Sequence, residues 1–237
     1  ASQRVLLKDP FAVFSLAWFI ERLHCRVVVT LRHPAGFASS LKRLNWPFDF
    51  RDLLDQPLLM RDHLEPFRAD MERITADDLI GQAALLWKMV YRAVHADRER
   101  IPSIQVLRHE DLSLDPVTAY ARAFESLGLA FTAKVQEMIR TSSSSENPAE
   151  LSSNKVHSVK LDSRANLDNW KKRLTAEEIT RLRAELKARS EAGIDIVAEL
   201  NLSETRVEKL VSLLHEHAVN VVMVGARHTD FEQVEAA

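Results

Sequence analysis

The feature that most constrains this chain is a short β-branched run, Val27-Val28-Val29-Thr30-Leu31, that stops abruptly at Arg32-His33-Pro34. An apolar run of that length, bounded by charge, predicts a fully buried parallel strand. Pro34 suits the first turn of a following helix, where its missing N–H is not needed. Upstream, Arg4-Val5-Leu6-Leu7 reads as a strand and Lys8-Asp9-Pro10 as a loop. Phe11, Phe14, Leu16, Trp18 and Phe19 then recur at near-helical spacing, to about Arg22. Strand, crossover helix, strand, loop, helix is the pattern of an α/β fold: a parallel sheet flanked by helices.

Further along, residues 46–74 read as irregular, punctuated by Pro47, Pro57 and Pro66. From Asp77 to Arg100 the spacing predicts a long amphipathic helix, with Leu79, Ala83, Leu86, Val90 and Val94 on its apolar stripe. Ser103 to Leu107 reads as a strand, and Pro116 opens a helix that Gly128 closes. Residues 142–158, beginning with the tetraserine Ser142 to Ser145, have the composition of a mobile loop. Thr175 and Glu178 fit a capping box. Leu210, Leu213 and Leu214 suggest a helix, and Val219 to Val224 a strand. The expected organisation is one α/β domain over residues 1–190 and an extension over 191–237, whose nature the sequence leaves open.

With 237 residues, 46% hydrophobic and 28% charged, the chain has material for a large core without metal or disulfide help. A formal net charge of −2 argues against bulk nucleic-acid binding, which needs an excess of basic charge. Cys25 is the only cysteine, so no intramolecular disulfide forms. No apolar stretch reaches the roughly 18 to 20 residues of a membrane span, and no leader pattern is present. These traits fit a reducing, cytoplasmic setting. His215 and His217 pair near His228, but no cysteine or carboxylate completes a zinc pattern, so no metal site is expected.

Arg32 is the first candidate for chemistry. At the C-terminal end of a buried strand it points into the crevice where α/β sheets bind ligands. The next helix offers free N–H groups and a positive dipole end. The guanidinium fork matches two phosphate oxygens, and Ser40, eight residues on, reaches toward the same anion. Alone, the pattern also describes a surface arginine and a helix-facing serine. His33 and His109 read as structural hydrogen-bonding residues, Glu110 and Asp111 as loop anchors, and Trp46, Trp87 and Trp170 as core or pocket wall.

Three blocks in order resemble the PAPS-dependent sulfotransferase family: Lys8-Asp9-Pro10 through Arg32-His33-Pro34 and Ser40; Arg108-His109-Glu110-Asp111-Leu112 with Asp115-Pro116; and Ser163-Arg164 with Trp170-Lys171 and Leu174-Thr175. The resemblance spans about residues 4–188. It implies a P-loop-NTPase-like architecture and transfer of a sulfuryl group from 3′-phosphoadenosine 5′-phosphosulfate (PAPS) to an acceptor hydroxyl or amine. It also implies that Arg32, Ser40, Ser163 and Arg164 bind the cofactor, with Lys8 neutralising charge on the leaving oxygen. Asp9 has two open readings, as the base that accepts the acceptor proton and as a turn residue bonding its own backbone. The acceptor is expected to be a small or lipid-like molecule facing residues 46–99. The departure is the absent phosphate loop. Gly36, Gly81, Gly128, Gly193 and Gly225 are all isolated, so no nest of N–H groups for a 5′-phosphosulfate is expected. An N-terminal truncation, a degenerate binding domain and a kinase-like transferase are therefore all kept as alternatives.

Overall fold

In the computed structural model, which describes residues 4–151, 160–187 and 220–227, the β-branched run is the strand around which the helices are arranged. Strand β1 (Arg4–Lys8) leads through a 3₁₀ turn, Phe11–Ser15, into α1 (Leu16–Leu23), then β2 (Arg26–Leu31) and α2 (Pro34–Leu44). Three short helices follow, α3 (Arg51–Leu54), α4 (Pro57–Leu59) and α5 (Arg68–Arg73), with a π turn and a 3₁₀ turn between the last two. Then come the long helix α6 (Leu79–Arg100), β3 (Gln105–Arg108), α7 (His109–Leu114), α8 (Pro116–Ser126) and α9 (Ala133–Ser143). The described chain ends with α10 (Ser163–Asn166), α11 (Asn169–Arg173), α12 (Ala176–Lys187) and β4 (Asn220–Arg227). The fold is mixed α/β and mostly helical. Among the described residues, no helix is long and apolar enough to cross a membrane.

The strands form one sheet in the order β1-β4-β2-β3. β2 and β3 are parallel, with Val28 opposite Gln105 and Leu31 opposite Arg108. β4 lies between β1 and β2 and is antiparallel to both. The expected parallel sheet is thus realised only in the β2–β3 pair. The reason is pairing: β1 and β2 do not meet directly, and β4 supplies the facing backbone N–H and C=O groups that each needs. Leu210, Leu213 and Leu214 lie outside the described residues.

Alternation in β2 sends Val27, Val29 and Leu31 to one face, where they pack with Leu16 and with Trp87, Val90, Tyr91 and Val94 of α6. Val28 faces the other way, against Leu127 at the end of α8. Cys25 is buried beside the first of these clusters.

The segment expected to be irregular, 46–74, is a chain of short helical turns. It folds because Phe50, Leu53, Met60, Leu64, Phe67 and Met71 pack on Leu85, Leu86 and Met89 of α6. Tertiary burial here overrides the punctuation of three prolines. The start of the expected loop at 142 differs too. Ser142 and Ser143 belong to α9, where their hydroxyls bond back to the Ile139 carbonyl at 3.1 and 2.7 Å. The capping box forms as the sequence implies: Thr175 N–H donates to Glu178 at 2.7 Å and Glu178 N–H to the Thr175 hydroxyl at 3.2 Å.

Gly128 closes α8 with φ +57°, the left-handed region that favours glycine. A Cβ there would also come within 2.5 Å of the Arg26 guanidinium, which must swing away. Gly128→Ala is expected to destabilise the protein by about 1–2 kcal/mol, the strain of a left-handed alanine, read as a lower urea midpoint at unchanged slope.

Candidate functional site

The β2–α2 junction is built from both of its flanks. Arg32 follows the last β2 residue, so its backbone loses the ladder partners of the strand. Side chains of α6 replace them. The Arg32 N–H donates to the Tyr91 hydroxyl at 3.0 Å, and Trp87 Nε1 donates to the Arg32 carbonyl at 2.7 Å. Tyr91 and Trp87 are themselves fully buried and packed on one another, ring centroids 4.6 Å apart.

His33 is the N-cap of α2, its Nδ1 accepting from the Ala35 N–H at 3.2 Å. The His33 N–H donates to Glu110 Oε1 at 3.0 Å, tying this junction to the start of α7. The Glu110 role as a loop anchor is seen directly in that bond.

The structure brings Arg32 and Ser40 together. The Arg32 guanidinium, 3% exposed, donates from Nη2 to Ser40 Oγ at 3.0 Å. Two turns of α2 separate the residues, and the hydroxyl therefore lies over the side chain that reaches along the helix.

Ser163 and Arg164 meet α7 instead. Ser163 Oγ donates to the Ser113 carbonyl at 2.8 Å, and the Arg164 guanidinium to the Leu114 carbonyl at 2.6 Å from an exposed position. They border the site through Ser113, whose Oγ lies 3.2 Å from His109 Nδ1.

Lys8 and Asp9 are exposed. Lys8 and Val28 both face Val222 of β4, so they are level across the sheet. Arg32 lies four positions beyond that level, about 13 Å further along at the usual rise of a strand, and two strand spacings of about 4.8 Å aside. Asp9 Oδ1 accepts from the Phe11 N–H at 2.8 Å and the Ala12 N–H at 3.3 Å. Of its two readings, this geometry is that of a turn residue bonding its own backbone.

No family model matches this chain, and neither a curated protein nor a solved structure does.

What the geometry offers chemically is a cluster of cationic groups at the junction. The His33 ring, tilted against Trp170 with centroids 5.8 Å apart, has its pKa lowered to about 3, first by burial and then by Arg183, Arg32 and Arg108. His109 is likewise lowered to about 3, by burial and by Arg32. Both imidazoles are neutral near pH 7. Glu110, 1% exposed, has its carboxyl raised by burial, an effect its bond to the His33 N–H opposes.

Three guanidiniums therefore act on one neutral ring, with one buried carboxyl among them, and a dianion fits such a donor set. Arg108 heads the Arg108-His109-Glu110-Asp111-Leu112 block read from sequence, whereas Arg183 carries no local signal. Among the described residues no group of three or more His, Cys, Asp or Glu is placed to hold a metal ion, and His215, His217 and His228 lie outside them.

Two outcomes follow from this wiring. Tyr91→Phe removes the acceptor of the Arg32 N–H and is expected to cost about 1–3 kcal/mol, the penalty of an orphaned buried donor, measured by urea unfolding. Acid should also weaken the fold. Both folded histidines titrate below the unfolded value, so between about pH 6.5 and pH 3 the unfolded chain binds more protons and stability falls as pH falls. Each histidine contributes a slope of about 1.4 kcal/mol per pH unit there. His33→Asn keeps a good N-cap and removes one titration, so unfolding free energies measured from pH 5 to 6 should lose the slope of about one proton.

Proposed function

We propose that the chain binds a nucleotide by its 3′-phosphate at the Arg32–Ser40 pair and acts in sulfuryl transfer from PAPS to a hydroxyl or amine acceptor. The single observation that carries this reading is the buried Arg32 guanidinium already hydrogen-bonded to Ser40 at 3.0 Å, at the end of a parallel strand and over the first turns of α2. A positioned fork and hydroxyl suit a phosphate, because little ordering remains to be done when the anion arrives.

The cationic surroundings support the same reading. Arg108 meets Asp111 only at 3.9 Å, and the Glu110 carboxyl is pushed toward its neutral form. The three blocks that resemble the sulfotransferase family support it from sequence. Within it the architecture is P-loop-like, with β2 and β3 as its parallel strands and the antiparallel β4 as a departure.

When bound, PAPS supplies the sulfuryl group. The residues of this chain bind and orient: Arg32 and Ser40 grip the 3′-phosphate, Ser163 and Arg164 border it from α10, and neutral His33 and His109 add no competing charge. Lys8 is the cation the reading assigns to the leaving oxygen. The acceptor side is assigned to residues 46–99.

Isothermal titration calorimetry with adenosine 3′,5′-bisphosphate tests the reading. Binding is expected, with ATP binding at least tenfold more weakly. Arg32→Ala should weaken it by about 10- to 100-fold, the loss of one or two charge-assisted hydrogen bonds, and Ser40→Ala by less. Binding of ATP without binding of the bisphosphate would overturn the sulfotransferase reading in favour of a kinase-like transferase.

A further inference from the structure

A second feature lies away from Arg32, one residue on from Trp87. Lys88 is turned about 100° from Trp87 around α6, so it leaves the strand-facing side of the helix. It nonetheless remains 7% exposed. It lines an open cavity of about 250 Å³ between the segment from α5 to the start of α6 and α12. Compared with the roughly 30 Å³ that a water molecule takes up in the liquid, that is room for a small polar molecule.

The other charged groups of the cavity wall already have partners. Asp78 is held by Arg181 at 2.7 Å and accepts the Gly81 N–H at 3.0 Å. Arg73 pairs with Asp70 at 2.6 Å, and Glu185 lies 3.7 Å from Arg181. Among the described residues, Lys88 forms neither a hydrogen bond nor an ion pair.

The stem of Lys88 is covered by the helix packing, and its ammonium meets the cavity with no counter-charge at bonding distance, an arrangement that an anion completes. A cation left over in a cavity whose carboxylates are taken calls for an oxyanion. We propose that this cavity binds a small molecule through an oxyanion group (carboxylate, phosphate or sulfate), with the Lys88 ammonium as its principal donor. The site does not depend on the nucleotide reading, because neither Arg32 nor Ser40 lines it.

The test titrates the full chain with inorganic phosphate, sulfate and succinate separately, at ionic strength held constant with chloride. Amide chemical shifts of Thr75 and Gly81, two wall residues, report occupancy. At least one anion is expected to give saturable shifts, and the tightest of the three identifies the oxyanion. Lys88→Met should abolish them, while Arg32→Ala should leave the affinity within twofold.

Without ligand, Lys88→Met is expected to melt at or above the wild-type temperature, since an unpaired buried charge is replaced by an apolar chain of similar length. Three results would each overturn the proposal: no saturable shift with any of the three anions, shifts that survive Lys88→Met, or a Lys88→Met protein that melts well below wild type, which would make Lys88 a structural residue.

Discussion

Everything at the β2–α2 junction depends on two hydrogen bonds from α6 to the backbone of Arg32. A residue just beyond a strand has neither ladder nor helix to satisfy its N–H and C=O, and burial without partners would be penalised. Tyr91 and Trp87, one helical turn apart and stacked together, take both groups at 3.0 and 2.7 Å. The Tyr91 hydroxyl also donates to the Thr30 carbonyl at 3.3 Å, so one side chain grips the strand end on both sides of Leu31. The direction in which Arg32 projects is set by this clamp, and Ser40 then receives a guanidinium whose base is already fixed.

Charge around the junction is handled by neutralising what can be neutralised. Guanidiniums do not lose their proton, so Arg32, Arg108 and Arg183 stay cationic. The neighbouring imidazoles give up theirs instead; His33 then accepts from the Ala35 N–H, and His109 Nδ1 shares a hydrogen bond with the Ser113 hydroxyl. Burial raises the Glu110 carboxyl, and its bond to the His33 N–H holds α7 against α2. The charge at the junction and its structural stability thus share the same few residues, and acid attacks the stability through the histidines.

The parts legible in the sequence were those with a local physical signature. The β-branched run, Pro34 at the first helical position, Gly128 at a left-handed cap and the Thr175–Glu178 box each declare themselves within a few residues, and each is found in its expected place. The pairing of Arg32 with Ser40 was legible for the same reason, since about two turns of helix from Pro34 carry Ser40 over the Arg32 side chain. What failed to show was set by contacts distant in sequence. The turns between 46 and 74 take their form from Leu85, Leu86 and Met89, and hydrophobic period carries no information on the antiparallel placement of β4. Lys88 is hidden for a related reason: a one-stripe view of α6 assigns it to solvent, whereas three separate clusters cover this helix.

That coverage makes α6 the shared wall of two unlike cationic positions. At Arg32 the charge meets a hydroxyl, a neutral ring and a nearby carboxyl, so the fold tolerates it before any ligand arrives. At Lys88 no such partner is present among the described residues, and the ammonium is left to the cavity between α5, α6 and α12. The two sites should therefore respond differently to an anion. A ligand at Arg32 exchanges one set of polar contacts for another, and its free energy goes into orientation. A ligand at Lys88 supplies the missing counter-charge, and its free energy goes into the stability of the helices that line the cavity. Because Trp87 and Lys88 are neighbours on one rigid helix, tightening the packing around Lys88 also steadies the side chain that holds the Arg32 carbonyl.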